Sequence, residues 1–315
     1  MSIILARAAE NAYWLGRYLE RSTAVVRMLS AADTVTTEVG GFSPGMPTRV
    51  WAEIEEVLAA GNDSNQKGST VHHCSRFLFS LEEPMSVASS IRNARENARA
   101  FRETLSIEAF TLLNSTWQTI RAQSEAFQNA YENPNKSSSI MARSAMDLLQ
   151  HEIFAICGAI DRTSGRGDAW RFLHMGTLLE RAMRTSEVIR LMIPSILEED
   201  DDTPVRNARL RAMLRSLSGL EVYHSQYGAR LETDAITAFL MFDSEPSHAI
   251  LPCVEAIDRD LRLLDRRGRV DEPTHRSGLL VARLRFEGAG TSLHNLNATA
   301  GELSKEISGL HQAIT

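Results

Sequence analysis

Apolar and polar positions alternate at a helical period along nearly the whole chain. In the first stretch Ala8, Ala12, Leu15, Leu19 and Val26 fall on one side of a wheel turned by about 100° per residue. Glu10, Trp14, Arg17 and Arg21 fall on the opposite side, and Glu20 sits on a flank. This predicts one long helix over 2–38, stopped by Gly40, Gly41 and Pro44. A second helix fits 50–60 and ends in the polar loop from Gly61 to Ser64. The short apolar segment from His72 to Leu81 runs up to Pro84, after which the Ser86 hydroxyl is placed to cap the next helix. Helices over 87–104 and 107–131 follow, then a break at Asn133-Pro134-Asn135 and a helix over 137–161 with Met141, Ala145, Leu148, Leu149 and Ile156 at helical spacing. The stretch from Thr163 to Gly167 reads as the internal boundary, and Asp168 as the cap of a helix over 170–193 that Pro194 ends. Further helices fit 205–219, 232–242, 247–265 and 290–313. No stretch alternates with a period of two, so the fold class is all-α.

The first helix has an echo. Gly16, Leu19, Glu20 and Arg21 recur as Gly176, Leu179, Glu180 and Arg181, 160 residues on. Downstream, Phe77-Leu78-Phe79 with Glu83-Pro84 is echoed by Phe239-Leu240-Met241 with Glu245-Pro246, 162 residues on. Two echoes in one order at nearly one spacing indicate an internal duplication. The expected architecture is a helical bundle of two pseudo-equivalent halves, about 1–164 and 165–315, sharing one core in a single domain. Neighbouring helical residues diverge by about 100°, so Glu20 and Arg21 do not face each other and each needs a partner elsewhere. A glycine inside a helix costs roughly 1 kcal/mol against alanine. Its presence in both copies predicts close approach of another helix or of a ligand.

At 315 residues and a formal charge of −6 the chain can bury a large core, and its charge gives no global attraction to nucleic acid or acidic lipid. Cys74, Cys157 and Cys253 are odd in number and far apart, which argues for a reducing compartment and against disulfides or a thiolate zinc site. No apolar run reaches the roughly 18 residues of a membrane span, and the first residues fit no secretory leader. The expectation is a cytoplasmic protein without membrane or nucleic-acid partners.

Phosphate-binding loops, dinucleotide fingerprints, serine elbows and zinc signatures are absent from the sequence. Glu221 and His224 have the spacing of di-iron carboxylate ligands, but no second such pair exists, so a surface helix with one buried histidine is expected. His72 and His73 are adjacent and diverge. The five carboxylates from Glu198 to Asp202 read as a solvated linker. No metal, cofactor or catalytic residue is assigned. The most distinctive chemistry lies on one helix, where Arg92, Arg95, Arg99 and Arg102 share a broad face with Glu96 and Asn97. Arginine forks grip carboxylates and phosphates through paired N–H donors, so this ridge suits an anion. Local pairs, Arg92 with Glu96 and Arg99 with Glu103, are the alternative use of the same charges. The corresponding positions in the second half are Ile257, Asp258 and Arg259, so the ridge is present once.

The Glu-Arg doublets, Ser86-Val87, the run from Asn93 to Arg99, Asn114, Trp117 and the second copy from Arg171 to Ala182 together resemble the alpha-E family, an all-helical domain named for its Glu-Arg motif. The resemblance covers essentially the whole chain. It implies company with a circularly permuted ATP-grasp ligase, and so a part in making an amide-linked product. Where the family's second copy reads Gly-Arg-Tyr this chain has Gly176-Thr177-Leu178, so no role for an arginine transfers there. The expected function is that of a non-catalytic helical partner presenting a peptide or acidic small molecule to the ligase. Its binding residues would be Trp14, Arg17, Glu20, Arg21, Arg95, Glu96, Asn97, Arg99, Glu180 and Arg181. The alternative is an enzyme in its own right, with the Glu-Arg doublets lining a central cleft for an acidic, peptide-like substrate.

Overall fold

A computed structural model of the 315-residue chain describes residues 6–41, 43–59, 69–100, 102, 105–132, 136–198, 203–265, 271–287 and 293–314. Among these residues there are thirteen α-helices, one π-turn and no strand. The helices are α1 (Ala6–Val39), α2 (Met46–Ala59), α3 (Thr70–Cys74), α4 (Val87–Ala100), α5 (Ile107–Glu132), α6 (Lys136–Thr163), α7 (Asp168–Leu197), α8 (Pro204–Ser216), α9 (Leu220–Tyr227), α10 (Thr233–Phe242), α11 (Ile250–Leu264), α12 (Glu272–Glu287) and α13 (Leu293–Ile314). The π-turn, Ser75–Phe79, continues directly from α3. The chain forms two compact units. One comprises Met1–Thr36 and Gly45–Thr177, the other Thr37–Pro44 and Leu178–Thr315. The boundary expected near Thr163–Gly167 therefore falls inside the first unit, and the division itself falls within α7.

In the first unit α5 packs along α6 and against α4, and the π-turn wedges against α3, α4 and α5. The wedge is Phe77, Leu78 and Phe79, all buried, with the Phe79 ring 4.5 Å from that of Phe127 on α5. Burying each such side chain contributes about 1.5–3 kcal/mol. Ser86 caps α4 by accepting from the Ser89 amide at 3.0 Å, and its hydroxyl donates to the Ser80 carbonyl. α1 departs from expectation. Ala12, Leu15 and Leu19 are buried, but so are Tyr13, Arg17 and Glu20, and only Glu10 of the expected polar face is exposed. A helix covered on several sides has no need of a single apolar stripe.

In the second unit α10, α11, α12 and α13 pack one against the next, and α8 packs on α9. Three corrections to the sequence reading fall here. Helix α12 fills a stretch left without one, because its buried face mixes Thr274 and Ser277 with Leu280 and Leu284 and so hides the apolar period. On α9 the buried residues are Leu220 and Tyr223, while His224, expected inside, is exposed. And α7 does not stop at Pro194 but runs through it to Leu197. The buried Arg209 of α8 donates to the Ser195 carbonyl at 3.0 Å and to the Ser195 hydroxyl at 2.9 Å. A guanidinium there satisfies an end carbonyl and complements the negative pole of the helix. The acidic run beyond Glu198 lies outside the described residues.

Candidate functional site

The glycines shared by the two echoed helices meet in the first unit. A Cβ on Gly16 would lie 2.0 Å from the Leu173 carbonyl oxygen and 3.0 Å from the Thr177 nitrogen. A Cβ on Gly176 would lie 2.0 Å from the Tyr13 carbonyl oxygen and 3.2 Å from the Arg17 nitrogen. The contact is reciprocal, each glycine admitting the backbone of the other helix. This is the close approach that the paired glycines predicted.

Around this crossing the first copy builds an arginine–aromatic stack. The buried Arg17 guanidinium lies 5.5 Å from the Trp14 ring and 6.0 Å from the Tyr13 ring, and donates to the Tyr13 hydroxyl at 3.4 Å. The half-buried Trp14 stacks on Tyr18 at 5.5 Å, and Arg21 lies over Tyr18 at 5.4 Å. Such contacts are worth roughly 0.5–1 kcal/mol at exposed sites and more where water is excluded. At the start of α7 Arg166 lies 4.2 Å over Trp170, which stacks on His174 at 4.4 Å. Thr177, which stands where Arg17 has its counterpart, returns its hydroxyl to the Leu173 carbonyl at 3.1 Å. Glu20 is buried in the first unit. Glu180, fully buried in the second, lies 3.7 Å from the Arg184 guanidinium one turn on, and Arg181 is half-buried.

The arginine ridge lies on α4, whose opposite face buries Val87, Ile91, Ala94 and Ala98. Arg95 is held by α5, its Nε donating to Asn114 Oδ1 at 2.5 Å. The Asn114 amide is oriented in turn by donating to the Phe110 carbonyl at 2.9 Å. Glu96 sits between two guanidinium groups, 3.5 Å from Arg95 and 3.1 Å from Arg99. Arg99 is about half exposed, Arg102 is exposed over the Phe110 ring, and Arg92 has no ion-pair partner among the described residues. The expected Arg92–Glu96 pair is not the one formed. Glutamate pairs better with a cation that follows it along a helix, and Arg99 is that cation. Glu103 lies outside the described residues. Asn97 does not join the ridge: its amide donates to the Asn93 carbonyl at 2.9 Å, turned back on its own helix.

A third feature escaped the sequence reading. Glu55 of α2, buried, lies 3.1 Å from His73 Nδ1 and 3.3 Å from Arg76 Nη1. Arg76, on the π-turn, places Nε at 2.9 Å and Nη2 at 2.8 Å from the same oxygen of Glu83. The Trp51 ring stacks on His73 at 4.4 Å. The signal was available in the echo, since the positions 162 residues on from His73 and Arg76 are Ala235 and Ala238. Deeper in α3, burial foremost and the Asp33 carboxylate next push the Cys74 thiol far above its usual range. In the second unit Glu187 accepts from Arg190 at 2.6 Å and from Ser304 at 2.6 Å. Burial works to raise its pKa, but the Ser304 and Arg190 hydrogen bonds and the charges of Arg190 and Arg184 outweigh it and hold the carboxyl below its usual range. No group of three or more histidine, cysteine or carboxylate side chains among the described residues could hold a metal, and no described helix is long and apolar enough to cross a membrane.

Two of these features differ in what they offer chemically. The Glu55–His73–Arg76–Glu83 knot engages its charges with one another, whereas the α4 ridge presents guanidinium groups outward. An uncharacterized protein of Mycobacterium bovis is 20% identical to this chain over 327 residues, which cover 98% of this chain and 35% of that protein. Two uncharacterized proteins from strains of Mycobacterium tuberculosis match with the same identity and coverage. The chain thus spans about a third of the length of the curated relatives it matches. No solved structure matches. The model of the Alpha-E family, a predicted alpha-helical domain with a conserved ER motif, matches residues 4–315, and the chain belongs to that family.

Proposed function

We propose that this chain is a cytoplasmic, non-catalytic helical partner of an ATP-grasp amide ligase, to which it presents a peptide or acidic small molecule. The observation that carries the reading is the α4 ridge. Arg95 is braced from α5 while Arg99 and Arg102 stand out from the helix. A surface built only to be solvated has no use for a neighbouring helix that fixes one guanidinium. The fully buried Glu180 beside Arg184 fits a supporting role better than acid–base work, since a carboxylate held against a cation is kept ionised and is a poor proton donor near neutrality. The relatives that extend well beyond the matched region agree with a module that acts alongside others.

The duplication belongs to the same proposal. The reciprocal contact of Gly16 and Gly176 supports it. So does the order of elements: α4, α5 and α6 pack in succession in one unit, and α11, α12 and α13 do so in the other. One half kept the ridge for a ligand and the other kept the scaffold.

The test is reconstitution. The purified chain is added to the ATP-grasp ligase encoded beside it, and amide formation is followed by phosphate release and mass spectrometry of the product. Stimulation of the ligase, weakened by the double substitution Arg95→Ala with Arg99→Ala at unchanged helix content, supports the reading. A ligase that turns over equally well without the chain, and does not bind it, removes the reading.

A further inference from the structure

The ridge on α4 already holds a carboxylate, its own. Glu96 lies between Arg95 and Arg99, with Oε1 3.5 Å from one guanidinium and 3.1 Å from the other, and its second oxygen 3.4 Å from Arg99. The Glu96 side chain is about 56% exposed, so nothing but these cations holds it there. Arg95 keeps its position independently, through Asn114. The result is a rigid cation and a mobile one with a surface carboxylate seated between them.

We infer that Glu96 occupies the seat of a ligand carboxylate, and that the ridge binds an extended peptide whose acidic side chains replace Glu96 between Arg95 and Arg99 and reach Arg92 and Arg102 on either side. The inference deepens the proposed function and rests on its reading of the ridge as a ligand surface. A helix rises 1.5 Å per residue, so Arg95 and Arg99 are about 6 Å apart along α4. On an extended peptide, side chains of one face recur every second residue, about 6.6 Å apart. Acidic residues at alternate positions therefore meet successive guanidinium groups. Phosphate ligands are usually cradled by backbone N–H groups at a helix start or glycine-rich turn. The start of α4 is closed by the Ser86 cap, and the four arginines lie along its body. Single-stranded nucleic acid adds stacking on exposed aromatic faces. The aromatic ring beside the ridge, Phe110, is covered by Arg102.

The experiment reads fluorescence anisotropy of a fluorescein-labelled hexaglutamate peptide at low salt, with the full chain, Glu96→Gln, Arg99→Ala and Arg102→Ala. Hexaglutamine, inorganic triphosphate and a single-stranded DNA 20-mer serve as competitors. Glu96→Gln removes the resident charge while keeping the side chain's size, and should tighten binding several-fold. Arg99→Ala should weaken it by roughly tenfold, the loss of one charge-assisted pair. Circular dichroism should show all variants folded, since each altered side chain is exposed. Weaker or unchanged binding by Glu96→Gln would overturn the inference, because it would make Glu96 part of the scaffold or a bystander. Displacement by triphosphate or DNA at concentrations where hexaglutamate does not compete would overturn the choice of carboxylate. Peptide binding without ligase stimulation would sink the ligase partnership alone. Stimulation that is indifferent to Arg99→Ala, with no peptide bound, would sink the peptide site alone.

Discussion

The stretch from His73 to Pro84 and its counterpart from Ala235 to Pro246 carry the same apolar triplet and do different things with it. Phe77, Leu78 and Phe79 are buried on a π-turn, whereas Phe239, Leu240 and Met241 are buried on an ordinary helix. Around the first triplet His73 and Arg76 join Glu55 and Glu83 in a partly sealed ionic knot. In the second, alanines stand at the two cationic positions, and Glu245 is exposed where Glu83 is buried. Burial of the triplet is therefore a property of the apolar residues alone. The wider turn goes with the side chain that must reach two carboxylates at once, and π-turns inside helices recur at functional positions. The ridge shows the same asymmetry. Arg95 and Arg99 face Ile257 and Leu261 at the corresponding positions, both buried. Chemistry was concentrated in one half.

What the halves share should be the most sensitive to change. Replacing Gly176 by alanine drives a Cβ into the Tyr13 carbonyl, and neither backbone can give way cheaply. We expect a loss of about 3 kcal/mol, the upper end for overpacking, read from urea unfolding. Gly158→Ala is the control, since a Cβ there meets nothing within 4 Å, and it should gain about 0.5–1 kcal/mol from helix propensity. Equal effects at the two sites would show that the crossing tolerates a methyl group and would break the equivalence of the two copies.

What belongs to one half should cost less. Arg76→Ala strands Glu55 and Glu83, both under a tenth exposed. Removing one partner of a fully buried pair costs about 3–5 kcal/mol, and the roughly one-quarter exposure of Arg76 lowers the expectation to about 2 kcal/mol. Adding Glu83→Gln should recover part of that loss, because one of the two stranded charges goes with it. A double variant no better than the single would mean that Glu83 is not held by Arg76.

The smallest effect concerns acid, and it belongs to the second unit. The Glu187 carboxyl titrates below its unfolded value, so its contribution is complete above about pH 4.3 and disappears as pH falls through the lower folded value. Glu187→Gln should cost roughly 0.5 kcal/mol at pH 7 once solvent screening is allowed for, and nothing below pH 3. A difference that persists undiminished at pH 3 would show that shape, rather than charge, joins α13 to α7.

How much of this was visible in the letters differs by feature. Long helices with an unbroken apolar period, such as α5 and α6, were legible, as was the meaning of a glycine repeated at one place in two helices. Helix α12 was not, because buried Thr274 and Ser277 look polar on any wheel although their hydroxyls are satisfied internally, Ser277 donating to the Thr274 carbonyl at 3.0 Å. Pro194 was read as an end because a proline usually is one, and the residue that accommodates it, Arg209, lies on another helix. On α4 the four arginines were plain, but not that Asn114 fixes Arg95 or that Asn97 turns away. Local spacing sets which residues share a face. Only packing decides which of them are braced.

The buried thiol beside this knot makes the chain its own stopwatch. Cys74 is sealed in α3 with its thiolate disfavoured by burial and by Asp33, and Cys253 is sealed in the second unit. Cys157, half exposed on α6, is open to alkylation in the native protein. A maleimide added to the intact chain should therefore mark Cys157 first, and then Cys74 and Cys253 at the rates at which their own units open. Mass spectrometry of those marks would time the breathing of each unit without a single engineered residue.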